Sequence, residues 1–449
     1  MEKIDRLDIN QTAMVRVFNR IQNTAIALLL AVVGSGFSAI AIAQEDGDAP
    51  PEDLGVLDPF APNPLLNREP DPLLPNPPAP GTILGAGQRE TLAPELDRLN
   101  VEANERLAAG DAIGAFELWT RELRLRRYFG VLEEMTALQR VGAIAWNNSQ
   151  RLYLEFITER LQEILEQERS QSQSETVLAA LGTAFQTVRA KEPAVETYQI
   201  LLENADGRDE ILRRERWAGE IARIYLNWLD YPNAAVAYEE LLELQLQIQN
   251  LRNAGELAPP PPPPPGETET APPSQIESLR ELAFIYEQMG ELLPAIAARE
   301  RLIGYYISQQ NLIPVPEQKL AIAAHYEQLG KFQQAGQAYQ EAYQVATTIQ
   351  QFDNASLALE KLAKLYRAQN QIQTALELYQ AQVLVNQQSY NFYGMMNAYD
   401  NIGEIYREQE AYPQALQAFQ SGLQLAEQLK YKEDYFTAKI DEVNREIYR

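Results

Sequence analysis

Apolar side chains return at spacings of three and four along residues 175–429, the period of one helix face, and the whole arrangement repeats every 40 residues. Alanine marks the register at Ala194, Ala234, Ala295, Ala335, Ala375 and Ala415. Nine residues before each stands a ring: Phe185, Tyr225, Tyr286, Tyr326, Tyr366 and Tyr406. Three before that is a small residue (Gly182, Ala222, Ala283, Ala323, Ala363, Gly403), preceded by an aliphatic one. Four after the alanine comes a second ring, Tyr198, Tyr238, Tyr339, Tyr379 or Phe419, with Arg299 in its place in one unit. The pattern predicts two amphipathic helices per unit, joined by a turn at Gly290, Gly330, Asn370 or Glu410. A small residue at a helix crossing lets two backbones approach while a ring fills the space beside it. Neither helix can bury its apolar face alone, so the pairs must stack.

One interval in the grid is 61 residues instead of 40, and Pro259 to Pro265, seven consecutive prolines, fall inside it. Removing 21 residues restores the register, which predicts a surface loop over 258–274 hung on one continuous array. Two weaker units precede the grid. Leu107 to Asp111 with Ala115 and Trp119 supplies a turn, an alanine and a ring, but Glu102 and Arg106 stand where an aliphatic residue and a ring belong. Val141–Gly142 opens the next, a degenerate pair with Ala145 for the ring and Leu154 for the alanine. After Leu429, the stripe Tyr435, Phe436, Ile440, Val443 and Ile447 predicts a capping helix within 431–449.

The aliphatic–small pair, ring, alanine and second ring at these offsets resemble the tetratricopeptide repeat (TPR), over roughly residues 175–429. The family unit is 34 residues, so the additional six lengthen the helices here. The resemblance implies an all-α fold, a right-handed solenoid of helix pairs across 93–449. It also implies that the first helix of each pair lines a concave groove for a protein or peptide partner. Family logic puts groove contacts at Arg216, Arg223, Arg280, Lys364, Arg367, Asn397, Glu404 and Arg407. The Lys–Asn–Asn–Lys–Arg set by which chaperone-binding members hold a C-terminal carboxylate is absent, so that specificity is not carried over. Lys361, Lys364 and Arg367 form a basic i, i+3, i+6 stripe that suits peptide carboxylates or is a solvated helix face beside glutamates. Tyr390, Phe392, Tyr393, Met395, Met396 and Tyr399 are a second candidate surface, divided between core and an apolar groove.

Residues 1–43 do not fit the array. Arg16 and Arg20 precede an uncharged stretch that ends Ala41–Ile42–Ala43. This reads as a signal peptide cleaved after Ala43, or as a retained membrane anchor over 21–43. Either predicts export, to a periplasm or, from a glutamine-rich and cysteine-free style that looks cyanobacterial, a thylakoid lumen. Residues 44–92 hold eleven prolines between Pro50 and Pro80 among acids and leucines, which predicts a disordered linker or a short docking motif.

Composition narrows the chemistry. The formal charge is −25, which repels nucleic acid and anionic headgroups. With no cysteine there is no disulfide, thiol catalysis or thiolate metal site. The only histidine, His325, is expected to pack between helices or lie at the surface, since one imidazole makes neither a triad nor a zinc set. No phosphate-binding glycine loop is present. The expectation is a non-enzymatic interaction scaffold with no cofactor or metal, an assembly or adaptor factor for envelope or thylakoid complexes. The alternatives are a membrane-anchored sensor or an enzyme accessory subunit.

Overall fold

The computed structural model describes residues 62–67, 69–79, 81–170, 173–205, 210–258 and 274–448. The segment 1–43, with its signal or anchor, the first part of the linker and the run Pro259–Pro265 lie outside the described residues. Among those described there is no strand, only an isolated bridge from Asp71 to Leu74. Apart from short 3-10 helices at Pro64–Leu66 and Arg127–Phe129, the helices form eight antiparallel pairs: α1 Ala86–Ala108 with α2 Ala112–Arg126, α3 Val131–Asn147 with α4 Arg151–Ser170, and α5 Glu175–Thr187 with α6 Lys191–Glu203. There follow α7 Glu210–Asn227 with α8 Tyr231–Asn253, α9 Gln275–Gln288 with α10 Leu292–Ser308, and α11 Val315–Gln328 with α12 Phe332–Thr348. The last are α13 Phe352–Ala368 with α14 Ile372–Gln388, and α15 Phe392–Glu408 with α16 Tyr412–Leu429; α17 Glu433–Ile447 closes the series. This is the expected TPR-like solenoid with a capping helix, and the two degenerate units are full pairs.

One turn geometry recurs through the array and explains its regularity. Arg189, Leu229, Gly290, Gly330, Asn370 and Glu410 all have positive φ, between 57° and 74°. The amide after each donates back to the carbonyl of the ring residue on the grid: Ala190 to Phe185, Asp230 to Tyr225, Glu291 to Tyr286, Lys331 to Tyr326, Gln371 to Tyr366 and Ala411 to Tyr406, at 2.8–2.9 Å. A left-handed residue with this long return bond is the helix stop of the Schellman type. The grid ring therefore fixes the turn as well as the packing.

Inside each pair the small residue meets the second ring. A β-carbon on Gly182 would come within 2.5 Å of the Tyr198 ring, and one on Gly403 within 2.6 Å of Phe419. All six grid alanines are fully buried. The main core runs without a break from Leu65 to Leu365. It includes Ala234, Tyr238 and Leu241 before the proline run and Leu279, Leu282 and Ala283 after it. Across that gap Arg301 pairs with Glu239 at 2.7 Å, and Tyr231 meets Phe284 edge-on at 6.3 Å. The side chain of Ser274 caps α9 and Glu277 reciprocates on its amide at 2.7 Å, so the chain re-enters the array at a defined point.

The linker expected over 44–92 needs correction in its second half, which is docked on the array. Leu65 is buried, and the Asn63 amide donates to the Phe156 carbonyl at 2.8 Å and to Glu159 at 2.9 Å. Asp71 accepts both arms of Arg121 at 2.8 Å. Leu74 and Leu84 join Leu92, Leu96, Tyr128 and Phe129 in a small core, and helix begins at Ala86, ahead of residue 93. Proline removes amide donors but leaves carbonyls and leucine side chains free to pack. A strap of this composition covers the open face of the first pair, as α17 covers the last.

At that other end Phe436 and Val443 of α17 are buried against Phe419 and Met396. Lys439 reaches Glu404 at 2.5 Å, and the Tyr435 hydroxyl donates to Asp400 at 3.1 Å. No helix of the described residues is long and apolar enough to cross a membrane.

Candidate peptide-binding groove

The first helices of three consecutive pairs, α3, α5 and α7, form the walls of a cavity of about 490 Å³. Ala143, Trp146 and Asn147 come from α3; Ala179, Thr183 and Gln186 from α5; Arg216, Trp217 and Glu220 from α7. Tyr198 reaches the floor from α6 because Gly182 leaves room for its ring. Its ring stacks on Trp217 at 5.8 Å, and its hydroxyl accepts from Gln186 at 3.1 Å. Burial raises the Tyr198 pKa above its ordinary value, so the hydroxyl stays neutral. The rim is cationic and aromatic. Arg189, in the α5–α6 turn, has its guanidinium carbon 5.1 Å from the Trp146 ring centre and 5.5 Å from that of Trp228. Arg216 lies 4.8 Å over Trp217. Three of the chain's four tryptophans thus gather at one place. Trp146 is 47 % exposed and Arg189 is exposed beside it, so both present surface to solvent.

The residues expected from sequence are spread over the array, and only some meet here. Arg216 lines the cavity, and Arg223, one turn beyond Glu220, is ion-paired with it. Arg280 on α9 donates to the Tyr306 hydroxyl at 2.7 Å and lies over the same ring. On α13, Lys364 is paired with Glu360 and Arg367 with Glu408 at 2.6 Å, while Lys361 is exposed. Glutamates of the array therefore neutralise two of the three cations in the stripe. Asn397 is half-buried on α15, where its carbonyl accepts from Asn401 at 2.8 Å. Arg407 pairs with Glu404 at 2.9 Å and reaches Glu442 and Glu446 of α17, so the cap helix engages it.

The second candidate surface divides. Met396 is buried, and Met395 and Tyr399 pack against the core. Tyr390, Phe392 and Tyr393 are exposed, Tyr390 to 79 %, and Tyr393 contacts Tyr431 at 5.9 Å. His325 is buried, 2.8 Å from Glu287, on which Arg299 also converges at 2.6 Å. That is a packing role. Among the described residues no group of three or more His, Cys, Asp or Glu is placed to hold a metal ion.

Sequence reasoning missed Trp146, Arg189 and Trp228. A signal was present: Arg189 and Leu229 occupy the turn position held by Gly290 and Gly330 in later units, and Trp228 adjoins it. What was not legible is that neighbouring turns lie close enough for their side chains to stack.

No family model matches the chain, and no curated protein matches it. The three solved structures described next resemble it only distantly. The C-terminal part of a TPR repeat-containing protein from Cytophaga hutchinsonii shares 11% identity over 64% of this chain and 95% of its own, with a TM-score of 0.35. The apo form of RapI shares 10% over 79% and 98%, with a TM-score of 0.33. BtubC from P. vanneervenii shares 15% over 54% and 92%, with a TM-score of 0.32. At scores this low the assignment of a TPR-like solenoid rests on the helix pairs and turns of this chain itself.

Proposed function

We propose that this chain is a non-enzymatic interaction scaffold, which holds an extended segment of a partner protein along α3, α5 and α7. We further propose that it is exported and serves as an assembly or adaptor factor for envelope or thylakoid complexes. The observation that carries the first reading is the cavity rimmed by Trp146, Arg189, Arg216 and Trp217. Tryptophan and arginine are among the residues that dominate the energetics of protein interfaces. Here the guanidinium groups already lie over the indoles, so part of the ordering cost is met before a partner arrives. Export rests on the sequence of 21–43 alone, and with it a tether to a membrane if the segment is retained.

Affinity capture with the full chain, compared with Trp146→Ala, tests the scaffold reading. Trp146 is half out in solvent, so its truncation leaves the array folded. The reading expects a partner held by the parent and lost or strongly weakened in the variant. Equal capture by both would contradict it. Mass spectrometry of the native N-terminus separates a protein starting at Gln44 from an anchored one.

A further inference from the structure

Arg189 is one of the cations of this acidic protein that no described carboxylate neutralises. Among the described residues it forms no hydrogen bond or ion pair through its side chain, whereas Arg126, Arg140, Arg160 and Arg169 all hold carboxylates. Its backbone is left-handed, at φ 62°, a conformation that disfavours a side chain and that Gly290 and Gly330 adopt at matching turns. Leu229, Asn370 and Glu410 adopt the same geometry at their turns, so the backbone here accepts a side chain, and what sets this one off is its surroundings. Its guanidinium carbon lies 5.1 Å from the Trp146 ring centre and 5.5 Å from that of Trp228, two cation–π contacts that hold the group while its N–H edge is left to bond. Such an edge matches a carboxylate in two parallel hydrogen bonds, as a lysine ammonium cannot.

We propose that Arg189 is a recognition site for an aspartate or glutamate side chain of the segment in the groove, which makes the partner an acidic peptide. The proposal rests on the groove reading and deepens it. The overall charge of −25 opposes such a partner at long range, but at physiological salt that repulsion fades beyond about 8 Å. Contact with a preset guanidinium then decides the outcome. Glu220, on the opposite wall, is ion-paired with Arg223, so it is not a bare acid facing the incoming carboxylate.

Panning random dodecapeptides on the full chain tests this. The expected consensus carries Asp or Glu at one position, and changing that residue to Asn or Gln weakens binding about ten- to a hundred-fold. Arg189→Gly removes the guanidinium while giving the turn the residue that its backbone favours. This variant should keep its helical circular dichroism and bind the acidic and amide peptides equally well. Arg189→Lys should recover only part of the preference. A consensus without an acid, or an acidic preference unchanged in Arg189→Gly, would overturn the carboxylate assignment and leave the groove reading intact. Failure to enrich any peptide would overturn both.

Discussion

Gly403 and Gly182 are each pressed against a ring of the partner helix, and the rings cannot easily move because Phe419 and Tyr198 are buried. Alanine gains about 1 kcal/mol of helix propensity over glycine. A β-carbon 2.6 Å from a fixed ring costs more, within the ~1–3 kcal/mol typical of overpacking. Gly403→Ala is therefore expected to be net destabilising by about 1 kcal/mol, read as a lower urea midpoint; a raised midpoint would contradict this packing. The small–ring pairing was legible because its two members keep a fixed offset in five of the six units. The exception at Arg299 was legible too, but its purpose was not. Arg299 bonds Glu287 where Tyr339, its counterpart 40 residues on, bonds Glu327 at 3.0 Å. The basic side chain thus replaces the ring and keeps the same acidic partner, with His325 as a third member. In sequence Glu287 is one acid among many on polar faces, and nothing marks it as the acceptor.

At the scale of elements, the strap shows how composition can mislead. Proline density reads as a spacer, and the signal against it was the leucines: Leu65, Leu74 and Leu84 are all buried. Their docking surface on α1, α2 and α4 has no local signature, since most of it is assembled from residues far away in the chain. Arg121 holds the Asp71 carboxyl below its ordinary value of 3.8. A carboxylate with a lower pKa folded than unfolded adds stability above that ordinary value and loses it as the pH falls through the folded one. The strap is therefore expected to loosen below about pH 3.8, seen as earlier pepsin cleavage around Pro75 than in the helices. Asp71→Asn should bring the same susceptibility to neutral pH, measured with a second protease; an unchanged cleavage pattern would show that the ion pair does not secure the strap. The helix stops teach the converse lesson. Gly290 and Gly330 announce their turns, whereas Arg189, Leu229 and Glu410 adopt the same left-handed geometry unannounced, because the ring carbonyl and the stacked neighbours impose it.

For the whole molecule, the fold was legible and the site was not. Periodicity is a property of the chain, and eight pairs with a cap follow from it. The groove is a property of the stack: its walls are residues such as Ala143, Thr183 and Arg216, about 40 and 33 positions apart, with no common motif. Continuity across the proline run follows from a core shared by α8 and α9. All four tryptophans precede that run, so their fluorescence reports the first half while circular dichroism reports both. The two unfolding curves should coincide; separate midpoints would mean that the halves melt apart. The functional claim meets its most direct test in photo-crosslinking from the groove. A benzoylphenylalanine at Thr183, on the cavity wall, is compared with one at Val236, exposed on α8 and outside it. With partner present, adducts from position 183 and none from 236 are the expected result. Adducts from 236 alone, or equally from both, would contradict a partner seated along α3, α5 and α7.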